Sequence, residues 1–105
     1  MRNFLCTLMH GPAWDDTRGI REQAGWVEHA AFMDALVADG FVVIGGPVGP
    51  GNYTAHLIQA EDAGQVRARL AEDPWAADGH LVIGLLEPWS LWLDGRAAKE
   101  GQSTG

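Results

Sequence analysis

Residues 40–60 read Gly40-Phe41-Val42-Val43-Ile44-Gly45-Gly46-Pro47-Val48-Gly49-Pro50-Gly51-Asn52-Tyr53-Thr54-Ala55-His56-Leu57-Ile58-Gln59-Ala60. Phe41 to Ile44 is an apolar, β-branched run closed by Gly45-Gly46-Pro47, the pattern of a strand. Val48 to Asn52 holds Gly49, Pro50 and Gly51, which suit a turn between paired strands. Tyr53 to Ala60 reads as the next strand. A hairpin therefore sits in the middle of the chain, and the rest is read outward from it.

Towards the N-terminus, no proline interrupts Ile20 to Asp39, and Trp26, His29, Met33, Leu36 and Val37 recur at helical spacing. The periodicity predicts a helix through Gly25, although a helical glycine costs about 1 kcal/mol against alanine. Gly40 supplies its stop. Earlier still, Phe4 to Met9 is a short apolar run without helical period, a strand, and Gly11, Pro12, Asp15, Asp16 and Gly19 mark a loop. Towards the C-terminus, Glu61 and Asp62 open a second helix at the positive end of its dipole. It runs through Val66, Arg67, Arg69 and Leu70 until Pro74 stops it, and His80 to Leu86 is a fourth strand. The order βαββαβ predicts an α+β, ferredoxin-like fold: one antiparallel four-stranded sheet with both helices on one face.

Neither Phe41-Val42-Val43-Ile44 nor Leu81-Val82-Ile83 alternates with polar residues, so both sides of the sheet read as apolar. Two helices cover one side. A second copy packed sheet to sheet, as a homodimeric barrel, is the expected cover for the other. The alternative is that Trp89, Leu91 and Trp92 fold back over it.

A chain of 105 residues is one domain, and a 47% apolar share is that of a globular protein. Residues 1–96 are expected to form it, with 97–105, small and polar, as a flexible C-terminal tail. Seven basic residues against 14 acidic ones leave a net charge of -7, which disfavours nucleic acid and anionic membrane surfaces as partners. Cys6 is the only cysteine, no signal peptide is read at the start, and no apolar run approaches a bilayer span. The expected location is the cytoplasm.

In this topology His10, the loop bearing Asp15, Asp16 and Arg18, the Gly45-Gly46-Pro47 turn, Tyr53, Asp73 and His80 gather at one end of the sheet. That end is the candidate site. His29 lies on the apolar helix face. Periodicity favours a core histidine satisfied by a backbone carbonyl, and the functional reading is a general base with a pKa tuned by burial. Asp73 before Pro74 is either a surface carboxylate at a helix stop or the group that fixes an imidazole tautomer. His10, His29, His56, His80 and Cys6 show no metal-ligand spacing, Gly45-Gly46-Pro47 is no phosphate loop, and Cys6 is a mid-strand thiol. No metal and no cofactor are expected.

Together, in order and spacing, several pieces carry a resemblance. They are Arg21 eight positions before His29, Gly40 to Pro47, Asp73-Pro74-Trp75, Ala77-Asp78-Gly79 and Glu87-Pro88-Trp89. Over about residues 2–93 the chain resembles the YCII-related family of dimeric α+β-barrel proteins. The resemblance implies a ferredoxin-like dimer and a His-Asp pair in a cleft, falling on His29 and Asp73. Some members are similar in fold to muconolactone isomerases, and one kind is a dehydrochlorinase of a chlorinated quinol. The turn Val48 to Asn52 departs from the family in lacking an acidic residue after its Gly-Pro, and the loop Trp14 to Arg18 is longer than in short relatives.

The expected function is a cofactor-independent lyase or isomerase acting on a small cyclic or aromatic ligand. His29 and Asp73 are its catalytic pair, Arg18 or Arg21 holds an anionic group, and Trp14, Gly46, Pro47 and Trp75 line the pocket, with Trp26 either wall or core. The alternatives are a non-catalytic small-molecule-binding or accessory protein of the same fold, and a structural partner that docks through its Trp-rich tail.

Overall fold

The computed structural model describes residues 1–96; the expected tail, 97–105, lies outside them. Strands β1 (Arg2–His10), β2 (Val42–Val48), β3 (Tyr53–Ala60) and β4 (Leu81–Pro88) form one antiparallel sheet in the order β2-β3-β1-β4. Helices α1 (Trp26–Ala38), α2 (Ala63–Leu70) and α3 (Pro74–Asp78) complete the chain. This α+β arrangement is compatible with a ferredoxin-like topology. Among the described residues no helix is long and apolar enough to cross a membrane.

The alternation of β1 divides the molecule. Phe4, Cys6 and Leu8 point to one side and pack with Val42 and Ile58 of the sheet and with Leu36, Val66 and Leu70 of the helices, forming the core. Leu5, Thr7 and Met9 point to the other side, where Met9, Ile44, Val48, Val82 and Leu85 are exposed. The second apolar face is therefore present; of the residues named as its alternative cover, Trp92 is 91% exposed, Trp89 is exposed and Leu91 is half-buried.

Three boundaries differ from the sequence expectation, each for a local reason. Gly25 does not ride inside α1. It adopts a left-handed conformation (φ 82°) at the N-cap, and the earlier residues form only a 3-10 turn, Ile20–Glu22. A Cβ at Gly25 would lie 3.1 Å from the Trp75 indole nitrogen, so both backbone and neighbour favour glycine there. Val37, expected on the buried helix face, is exposed at the end of α1. Gly45-Gly46-Pro47 is not a terminator but continues β2, paired with His56, Ala55 and Thr54. Proline is tolerated there because β2 is an edge strand.

The third difference matters most. α2 ends at Leu70, before the proline, and Pro74 begins a separate helix, α3. A proline at the first helical position loses no hydrogen bond, and Asp73 caps it by accepting from the Trp75 backbone N–H at 2.9 Å. This short helix turns Asp73 and Trp75 inward.

Candidate functional site

Asp73 is 3% exposed, not a surface carboxylate. Its Oδ1 is engaged by the α3 cap, and its Oδ2 accepts from His29 Nδ1 at 2.7 Å. The two residues are 44 positions apart and both buried. His29 is on the first turn of α1, anchored by its backbone N–H to the Gly25 carbonyl at 3.0 Å. An ionised carboxylate only accepts, so it fixes the neutral ring with its proton on Nδ1 and a lone pair on Nε2. Among the described residues Nε2 has no protein hydrogen-bond partner, and it is not sealed from solvent.

Trp75 backs this pair. Its indole is fully buried, donates Nε1–H to the Ala24 carbonyl at 2.8 Å, and stacks on the His29 ring with centroids 4.0 Å apart and planes within 9°. His80 also stacks on the indole, 5.3 Å away, and its Nδ1 meets Asp78 Oδ1 at 2.7 Å. The carboxyl of Asp78 is resisted by burial but is held below its ordinary value by hydrogen bonds from the His80 side chain and backbone.

His29 opens to a cleft of about 980 Å3 between α1, the loop after β1 and the β2–β3 hairpin. His10 and Trp14, stacked at 3.8 Å, stand on its rim with Arg18, while Trp26, Gly45, Gly46 and Pro47 form its walls. The loop is held by Gln23, 3% exposed, whose amide donates to the Asp15 and Arg18 carbonyls and accepts from the Asp15 N–H. Arg18 lies 3.4 Å from the exposed Asp15, whose carboxyl is lowered by hydrogen bonds from Thr17 and further by the Arg18 charge.

His56 enters the same cleft from β3. It is 7% exposed, with Nδ1 directed at the Cys6 carbonyl at 3.2 Å. Burial holds its pKa below the usual histidine value; the Cys6 carbonyl opposes this and the His29 charge adds to it. Cys6 is in the core, its thiol pushed up to about 11 by burial against the pull of the Arg67 charge. A protonated, buried thiol is no nucleophile.

Of the residues singled out from the sequence, His29, Arg18, Trp14, Gly46 and Pro47 line the cleft, and Asp73 and Trp75 stand directly behind His29. Trp75 is thus a support for the imidazole, not a wall a ligand touches. Arg21 is exposed on the 3-10 turn and outside the cleft lining. His80 is likewise outside it, paired with Asp78. Gln23 was missed, and His56 was weighed only as a metal ligand. For His56 a signal existed: strand parity puts it on the side of Ile58, and Gly45 lies directly across in β2. Among the described residues no group of three or more His, Cys, Asp or Glu side chains is placed to hold a metal ion.

No family model, curated protein or solved structure matches this chain.

Proposed function

We propose that the protein is a cofactor-independent proton-transfer enzyme of the lyase or isomerase type, acting on a small cyclic or aromatic substrate. The observation that carries this is the 2.7 Å contact of His29 Nδ1 with the buried Asp73 carboxylate, the opposite ring nitrogen being left to the cleft. In this reading His29 Nε2 takes a proton from a carbon next to a carbonyl or electron-poor ring, and the electron pair moves onto that acceptor. An isomerase returns the proton at another carbon. A lyase expels a leaving anion with its electron pair, and the imidazolium loses its proton to water.

Asp73 orients the ring and stabilises the imidazolium, as a carboxylate does in a catalytic triad. Arg18 on the rim is suited to an anionic group of the substrate. The volume, about 980 Å3, is at the upper end of small-molecule sites, and Trp14 and Trp26 give it aromatic surface. Membership of the YCII-related family, with its dimeric ferredoxin-like barrel, is part of the same proposal. It is supported by the strand order and by the exposed apolar sheet face.

The test is a screen of enolisable ring compounds for exchange of carbon-bound hydrogen with deuterated water, followed by NMR. A substrate exchanged by the wild type and not by His29→Gln is the expected result. Ligands that bind in the cleft with no exchange would replace this reading with that of a binding protein.

A further inference from the structure

Four features meet at His56, and the proton transfer proposed above uses none of them. The ring is 93% shielded, being 7% exposed, yet it lines the cleft. Its Nδ1 is occupied by the Cys6 carbonyl, which can only accept, so Nδ1 carries the proton and Nε2 the lone pair. Among the described residues that Nε2 has no hydrogen-bond partner, and it is not sealed. Across the sheet, Gly45 leaves the ring its space: a Cβ there would fall 2.5 Å from His56 Cδ2. An acceptor reachable from the cleft and unclaimed by the protein is free to take a hydrogen bond from a donor on whatever enters.

We propose that His56 is a second functional imidazole of this cleft, a neutral acceptor that reads a hydroxyl or N–H group on the substrate beside the carbon that gives its proton to His29. The inference rests on the His29 base reading and names the substrate class it requires: a ring bearing a hydrogen-bond donor, such as a phenol or an enol. The two imidazoles do different work because their surroundings differ. His29 Nδ1 faces the Asp73 carboxylate at 2.7 Å, which orients the ring as the base. His56 faces a carbonyl in a buried site near His29, and protonation there is opposed both by burial and by the charge His29 acquires. A proton taken from carbon is therefore held on His29, while His56 goes on accepting. Sites built to pair a substrate donor discriminate strongly against analogues that lack it.

The experiment uses the whole chain with 15N-labelled histidine, and phenol and anisole as probes. The two share a ring, and only phenol donates. Phenol is expected to move the His56 Nε2 resonance and to bind about tenfold more tightly than anisole, the worth of one neutral hydrogen bond. His56→Phe should abolish that preference and His29→Gln should keep it. Equal binding of the two probes to the wild type overturns the proposal. So does a phenol preference that survives in His56→Phe, or a response confined to the His29 nitrogen, or no response of either ring up to the solubility of phenol. The wild-type nitrogen shifts decide the matter even if His56→Phe folds poorly. Failure of the base reading shows elsewhere, as unchanged deuterium exchange in His29→Gln.

Discussion

Asp73 uses both carboxylate oxygens, one to cap α3 and one to hold His29, so its variants separate structure from chemistry. Asp73→Asn keeps an oxygen for the cap but removes the charge that selects the His29 tautomer. Proton exchange on a substrate should fall by about 10²-fold or more, the usual scale for acid–base catalysis, with the unfolding midpoint little changed. Asp73→Ala loses the cap, about 1 kcal/mol, and leaves a buried imidazole N–H unpaired at a further ~1–3 kcal/mol. Urea denaturation of the two variants checks the ordering. His56 adds a pH dependence. Its folded-state pKa lies below the ordinary 6.5, so in the interval between the two values the unfolded chain binds more protons than the folded one. Stability from this residue is complete above about pH 6.5 and is lost as the pH falls through that interval. Denaturation midpoints followed from about pH 8 to about pH 5 should decline, and the decline should be shallower in His56→Phe.

At the scale of elements, the two edge strands carry irregularities that place side chains. In β2 the pairing slips between Val42 and Ile44, so Val43 is an extra residue. The slip leaves Ile44 opposite Leu57 on the open face and brings Gly45 opposite His56 on the helix side. In β4 a matching irregularity puts Gly84 and Leu85 opposite Thr7, whose hydroxyl accepts the Leu85 N–H at 2.7 Å. Bulges of this kind re-aim a strand without changing its partner. Gly45→Ala should therefore destabilise the hairpin by ~1–3 kcal/mol through overpacking, as its Cβ meets the His56 ring 2.5 Å away and the Ala55 carbonyl at 3.1 Å. Gly46→Ala, which would meet nothing within 4 Å, is the control and should change the midpoint little.

For the whole molecule, the open sheet face is the main energetic liability. Ile44 is 58% and Val82 44% exposed on an apolar surface that no described helix covers. The homodimer proposed above predicts a mass by light scattering of twice the 11.3 kDa chain. Val82→Lys places a charge on that face and should return the mass to one chain. A wild type that stays monomeric at all concentrations would remove the dimer from the proposal.

Local signals were enough for the four strands and for α1 and α2 in their order, though not for α3. The apolar runs, the helical period of Trp26, Met33 and Leu36, and the glycines at 49 and 51 (φ 58° and 92°) act within a few residues of one another. They therefore place these six elements without knowledge of the fold. The helix boundaries at Gly25 and Pro74 were legible only in part, because the same residues serve equally as breaker, cap or first helical position. The site is a different matter. His29 meets Asp73 across 44 residues, Trp75 becomes buried only when α3 docks between α1 and β4, and His56 faces the cleft because of how β3 pairs with β1. Sequence periodicity states which face a residue shares with its neighbours. Which of those faces meet, and which ring nitrogen is left open, depends on register and docking, and these are decided only when the sheet closes and the helices pack upon it.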